Sequence, residues 1–334
     1  MNILFLRGSV PPKNEHPEKL YYDSIENCED MWTQLFYFIN KKMESNGRIL
    51  YVNGDREFVV DDNFKEQWIP SFKNFSHDFV PFSPDLIFCR GGFSYYDNVV
   101  KKFPKAKKIY YGAGVRSFPN SSFKDYDVFI VDSKRQKNII EKDKHKRAEL
   151  FIKPAAMLFK PVETKKKYDI CFMANATQGE IKRHEMLIKA FSKSKYRILS
   201  LGNTNKKYVR MARELKTNIE WGGWSLRKEL PQKISQCKVG ICCSTNYDSC
   251  PRVIPEYLAC GIPVIATKNI NFWQNKYINV NTGMLVKGTS DHLKQALDNN
   301  IHSLSRINTR DYYEKHLSLD QASDHLINII ESIL

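Results

Sequence analysis

Residues 239–267 read VGICCSTNYDSCPRVIPEYLACGIPVIAT, and the succession of residue types in this stretch decides the fold. The uninterrupted apolar run at 239–243 has the length and composition of a buried strand. A polar loop carrying Asp248 follows it. Pro255 then suits the first position of a helix, because its missing N–H is one that a first turn leaves unpaired anyway. Glu256 falls in the same turn, where a carboxylate complements the helix dipole for about 0.3–1 kcal/mol. Residues 257–261, YLACG, lead into a second apolar run at 263–266. A strand, a helix and a strand, both strands apolar throughout, make the unit of a parallel sheet covered on both faces.

The same alternation extends outward in both directions. Residues 2–6, 48–52, 86–89, 108–111 and 128–131 read as buried strands, and 26–44 and 95–103 have helical spacing of apolar positions. The pattern restarts at 168–173 and 197–201, with helices near 182–191, 206–215, 225–237 and 255–260. Each half holds enough units for its own Rossmann-like parallel sheet. The join is expected at residues 159–164, FKPVET, which are short, Pro-containing and followed by three lysines. Residues 55–84 resist the pattern, being rich in Phe and Asp without a clear period, and read as an insertion or lid. Residues 319–334 read as an amphipathic helix with Ala322, Leu326, Ile329, Ile330 and Ile333 on one face.

Composition sets the outer limits. At 334 residues the chain exceeds what one core usually supports, so two domains are expected. No apolar run approaches the length that spans a bilayer, and the opening MNILFLRGSV, cut off by Arg7-Gly8, reads as a strand rather than a leader. Of the 8 cysteines, Cys89, Cys171, Cys242 and Cys243 lie in or beside apolar strand-like runs and Cys260 follows a helical 257–259, and none has metal-ligand spacing, which fits reduced, buried thiols and a cytoplasmic location. Lys plus Arg number 52 against 37 for Asp plus Glu, a formal charge of +15 that favours anionic partners without choosing among them. The basic runs at 101–108 (KKFPKAKK) and 134–147 (KRQKNIIEKDKHKR) read first as solvated faces. Their alternative is a surface for an anionic acceptor or peripheral contact with an anionic membrane.

Ligands of open parallel sheets lie at the carboxyl ends of the strands. In the first half those positions hold Arg7-Gly8-Ser9, Arg90-Gly91-Gly92 and Gly112-Ala113-Gly114, with Arg116 two residues further on. Glycine lets a backbone approach a ligand, although it is also ordinary turn chemistry. None of the triplets matches a dinucleotide fingerprint or a P-loop. In the second half, a carboxylate at Glu256 can accept both hydrogen bonds of a ribose diol, and free helix-start N–H groups suit a diphosphate.

The segment 248–267, DSCPRVIPEYLACGIPVIAT, resembles the Glu-x7-Glu signature of family-4 retaining glycosyltransferases with the GT-B fold. Residues 182–191, KRHEMLIKAF, are similar to that family's segment with a phosphate-binding Lys, and 281–286, NTGMLV, to its Asn-Gly-x-Leu-Val turn. The likeness runs from about residue 153 to 297; the first half matches in its alternation, its opening strand and the Pro11-Pro12 pair. It implies an α/β fold of two Rossmann-like parallel-sheet domains facing a cleft. The implied division is an acceptor domain at 1–162, a nucleotide-sugar donor domain at 163–317, and a helix at 318–334 packing back on the first. It further implies that Glu256 holds the donor ribose, Lys182 meets the diphosphate and Asp248 lies near the donor sugar. Asp248 departs from the family's Glu by one methylene.

The family's Arg shortly before the Lys is missing here, and Asn175, Arg183 or Arg252 are the candidates to replace it. Its first-domain His has no counterpart in 110–114, YYGAG. Catalytic roles are thus expected for Asp248 and Lys182. Donor binding is expected from Glu256, Asn175, Arg183, Arg252, Pro255 and Gly8, and acceptor binding from Arg90, Gly91, Gly112 and Arg116. The implied chemistry needs no cofactor and no metal, and joins a nucleotide-sugar to a glycan or lipid-linked acceptor. The letters Asp125-Tyr126-Asp127 fit a metal-binding Asp-x-Asp of the GT-A class, but they precede a strand instead of following one. A non-catalytic nucleotide-sugar or glycan binder of the same fold is the alternative. Nucleic-acid binding rests on charge alone, with no recognised signature, and is not expected.

Overall fold

A computed structural model of the chain describes residues 1–8, 24–54, 56–91, 96–112 and 123–334. It divides into two compact units, Met1–Ile152 with Leu319–Leu334 and Lys153–Ser318. The stretch 159–164 lies within the second unit and is packed there: Phe159 is buried, and the Val162 N–H donates to Ser235 Oγ at 3.0 Å.

The first unit is built on β1 (Asn2–Arg7), β2 (Asn46–Val52), β3 (Arg56–Asp61), β4 (Phe64–Ile69), β5 (Leu86–Arg90), β6 (Lys107–Gly112), β7 (Val128–Val131) and β8 (Arg147–Leu150). Their order across the sheet is β3-β4-β2-β1-β5-β6-β7-β8. Described neighbours pair parallel except β3, which runs antiparallel on β4. Within the stretch expected to be an insertion or lid, residues 56–69 therefore extend the sheet edge, and Phe72, Phe75 and Val80 beyond them are buried in the core. Glu66, buried in the middle of β4, breaks the apolar run and hides that strand from a periodicity reading. Helices α1 (Met31–Lys42), α2 (Asp97–Lys102) and α3 (Lys134–Asp143) complete the alternation.

Strand register puts Phe5 beside Ile49 and Phe88, and Phe88 beside Ile109. Trp32 and Phe36 of α1 close over this face; Phe36 lies 4.1 Å from the Phe5 ring and 5.2 Å from Phe88. Two residues further along the same strands the face turns polar, with Arg7 directly beside Arg90 and Arg90 beside Tyr111.

The second unit contains β9 (Tyr168–Met173), β10 (Ile198–Leu201), β11 (Ile219–Gly223), β12 (Cys237–Cys242), β13 (Val264–Thr267) and β14 (Gly283–Val286) in the order β11-β10-β9-β12-β13-β14, all parallel. Its helices are α4 (Gly179–Lys182), α5 (His184–Ala190), α6 (Lys206–Glu214), α7 (Leu230–Ser235), α8 (Val253–Ala259), α9 (Gln274–Tyr277), α10 (Ser290–Leu304) and α11 (Thr309–His316). The last helix, α12 (Leu319–Glu331), belongs to the first unit and packs on α1, where Lys42 pairs with Asp320 at 2.6 Å and Asp324 at 2.7 Å. Ala322, Leu326, Ile329 and Ile330 are its buried stripe; Ile333 lies past the helix end and is half-buried.

The basic runs are partly committed to the fold. Lys108 is buried with its ammonium on the Ala106 carbonyl at 2.6 Å, Lys102 donates to Phe75 O at 2.8 Å, and Lys137 and Arg147 both pair with Glu149. Residues 101–107 also lie at the amino end of β6, the opposite end from Gly112. This gives no support to a membrane-binding face there. Asp127 accepts from the Lys108 N–H at 2.7 Å, so the Asp125-Tyr126-Asp127 stretch ties β6 to the start of β7. The 8 cysteines are all buried and free of disulfides. Among the described residues no helix is long and apolar enough to cross a membrane.

Candidate functional site

In a parallel sheet wound in both directions from its first strand, the crevice opens where adjacent strands send their chains opposite ways. In the second unit this point lies between β9 and β12. The loop after β9 leads to Lys182 and the loop after β12 carries Asp248. Their side chains meet there, Lys182 Nζ to Asp248 Oδ2 at 2.5 Å, with 20% and 15% of each exposed. Backbone bonds hold the two loops in place. The Thr245 N–H donates to Ile181 O at 2.8 Å, and the Asn271 N–H donates to Asp248 O at 3.3 Å.

The expected single helix at 182–191 is two helices. Lys182 ends α4, Arg183 takes the left-handed conformation (φ 57°, ψ 45°), and α5 starts at His184. The kink carries Arg183 away from Asp248 to the Gly288 carbonyl, which it meets at 2.8 Å, and onto the wall of a cavity of about 540 Å³ with Lys207 and Tyr208. His184 is buried, stacked on Tyr208 with centroids 4.9 Å apart and edge-on to Phe172. Burial pushes its imidazole down to about 4, and the Lys182 charge adds to that. A neutral folded histidine contributes stability that is complete above pH 6.5 and is lost as pH falls from 6.5 toward 4, on the order of 3 kcal/mol. Urea midpoints should fall across that window in the wild type, and His184→Phe should flatten the fall. An unchanged slope in the variant would contradict this.

Helix α8 begins two residues earlier than expected, at Val253, so Pro255 is its third residue and not its first. Proline is tolerated there because the opening turn still leaves its nitrogen without a partner. The helix is pinned by Tyr257, whose ring lies against Gly240: a Cβ on that glycine would sit 2.4 Å from it. The Tyr257 hydroxyl accepts from the Met173 N–H at 2.7 Å and donates to the Cys171 carbonyl at 3.2 Å. Glu256, beside it in sequence, is only 5% exposed. Its Oε1 accepts from Arg227 Nη2 at 3.1 Å, and the Arg227 guanidinium lies 5.2 Å above the Phe159 ring.

Arg227 was not singled out in the sequence. It follows β11, 29 residues from Glu256, and no local pattern links them. Asn175 caps a short turn, accepting from the Thr177 N–H at 3.1 Å, and Arg252 is exposed at the N-cap of α8. The structure joins neither to the Lys182–Asp248 pair.

In the first unit, Gly8 follows β1, Gly91 follows β5 in a left-handed conformation (φ 63°), and Gly112 ends β6 with its carbonyl accepting from Gln136 at 3.3 Å. Arg116, Ser9, Gly92, Ala113, Gly114 and the Pro11-Pro12 pair lie outside the described residues. Asp30, the N-cap of α1, accepts from the Thr33 N–H at 2.8 Å and forms a two-pronged ion pair with Arg7. Burial would raise the Asp30 pKa; the Arg7 and Arg90 charges and the Thr33 N–H overcome it and hold it at about 2. Glu66 sits further along, accepting from the Tyr51 hydroxyl at 2.8 Å and Thr33 Oγ1 at 2.9 Å.

The sequence of residues 155–315 matches the family described as glycosyl transferases group 1. Comparison with curated proteins gives no match. Among solved structures, sucrose-phosphate synthase from Thermosynechococcus elongatus is similar at TM-score 0.75 and 13% identity, covering 99% of this chain and 98% of that one. A glycosyltransferase from Rickettsia africae is similar at TM-score 0.73 and 16% identity, with coverage of 99% and 98%. Anabaena HepE in complex with UDP-glucose is similar at TM-score 0.67 and 13% identity, with coverage of 99% and 100%.

Proposed function

We propose that the chain, whose residues 155–315 match the glycosyl transferases group 1 family and whose fold is that of the GT-B enzymes, is a glycosyltransferase that moves a sugar from a nucleoside-diphosphate sugar to a hydroxyl of a glycan or lipid-linked acceptor, with retention and without metal. The observation that carries this reading is the Lys182–Asp248 pair at the crossover of the second sheet. Breaking the anomeric C–O bond develops negative charge on the leaving diphosphate, and an ammonium fixed at a sheet crossover is placed to stabilise it. Asp248 orients that ammonium through the ion pair. The acceptor hydroxyl attacks from the face the phosphate leaves, and the phosphate takes its proton, so no protein nucleophile is required. Glu256 gives one oxygen to Arg227 and keeps lone pairs for the two hydroxyls of the donor ribose. The first unit takes the acceptor.

UDP-glucose is the first donor to test, because the similar Anabaena structure holds it. A true donor present at 100 times its Kd stabilises the folded protein by about 2.7 kcal/mol, so melting curves with UDP-, GDP- and TDP-sugars should single one out. Slow hydrolysis of that sugar should then continue in EDTA. No shift with any of them would sink the donor assignment. Activity abolished by EDTA and restored by Mn²⁺ would sink the metal-free chemistry.

A further inference from the structure

The first unit has its own crossover, between β1 and β5, and the residues that end those two strands there are Arg7 and Arg90. They are register partners on one face of the sheet, so two guanidinium groups are set side by side. Of the two, only Arg7 is hydrogen-bonded to a carboxylate among the described residues; Arg90 feels the Asp30 charge without a hydrogen bond to it. Arg7 has the Asp30 carboxylate and donates to the Tyr51 hydroxyl at 3.3 Å. The other carboxylate of this cluster, Glu66, is held by the Tyr51 and Thr33 hydroxyls on β4, three strands from β5 or roughly 14 Å away at ordinary strand spacing. Arg90 instead lies over Trp32, its guanidinium carbon 4.9 Å from the ring centroid, and its buried Nε has no hydrogen-bond partner among the described residues.

We propose that Arg90 is the floor of an oxyanion subsite in the first unit, one that receives a carboxylate or phosphate group carried by the acceptor. Packing over the Trp32 ring restrains the guanidinium, and its fork can give two parallel hydrogen bonds to such a group. Burial and then the Arg7 charge disfavour the Arg90 cation, the Asp30 charge offsets only part of this, and the pKa stays lowered; a bound anion relieves the remainder. Assigning the anion to the acceptor rests on the transferase reading above; the anion site itself does not.

Calorimetric titration of the full chain with inorganic phosphate, and separately with acetate, in chloride-matched buffer tests this. Wild type should bind phosphate, Arg90→Gln should bind it about 10-fold or more weakly, and Arg90→Lys should fall between, since it keeps the charge and loses the fork. Lys182→Ala should keep the phosphate binding that Arg90→Gln removes, since it can take away only ion held at the separate donor-diphosphate position of the second unit. Acetate binding alongside phosphate admits a carboxylate as the natural group, and phosphate alone restricts it to a phosphate. Thermal melts check that Arg90→Gln folds; if it does not, Arg90→Lys carries the comparison. Affinity that survives the Arg90 changes and disappears in Lys182→Ala puts the ion in the second unit and overturns the proposal, as does the absence of binding by either anion. Failure to find a sugar donor would defeat the proposed function and leave this result standing.

Discussion

Lys182→Ala is expected to lower kcat by about 100- to 1,000-fold, the loss typical when one fixed donor to a developing anion is removed. The ammonium is 20% exposed and held at 2.5 Å by Asp248, so it is already oriented before any substrate arrives. Removing it leaves a carboxylate near the leaving phosphate and reverses the local sign of charge. Lys182→Arg should recover part of the rate, because it restores the charge with a different reach. Asp248→Asn should cost less than Lys182→Ala, since the ammonium remains and only its orientation loosens. Steady-state kinetics on the donor found by thermal shift measure all three. A Lys182→Ala enzyme within 5-fold of wild type would remove Lys182 from the chemistry.

Glu256→Gln is expected to weaken nucleoside-diphosphate binding by about 10- to 100-fold with a smaller effect on kcat at saturation. Hydrogen bonds to an ionised group contribute about 1.5–3 kcal/mol, and a neutral amide forfeits most of that. The side chain is 5% exposed and the amide is isosteric, so the fold should hold. Arg227 loses its counter-charge in the same substitution, but its side chain is 27% exposed and water offsets part of the loss. Arg227→Gln separates the two contributions: it frees Glu256 and should reduce affinity less than Glu256→Gln does. Calorimetric titration with the nucleotide reads both, and an unchanged Kd in a folded Glu256→Gln would remove the ribose role.

Much of the architecture was legible because strand and helix periods are local. Residues 168–173 carry their strand in six consecutive letters, and β9 spans those same residues. The cysteines read as small hydrophobes, and they are buried thiols. Local reading failed where polar residues are buried or the chain bends without a signal. β4 holds Glu66 where an apolar residue was sought, and the break at Arg183 has neither glycine nor proline to announce it. The start of α8 slipped by two residues because Pro255 fits more than one position of a first turn.

Sequence by itself determined the α/β alternation, the two parallel sheets and the residue types at their carboxyl ends, since each follows from burial and backbone chemistry within a few neighbouring residues. Tertiary structure alone decided which of those residues meet. Lys182 and Asp248 are 66 positions apart, and Arg227 and Glu256 29. Arg7 stands beside Arg90 only because β1 pairs with β5. Strand order is set by which apolar faces pack together across the whole sheet. A carboxylate's partner therefore depends on a global arrangement that no short stretch of the chain encodes.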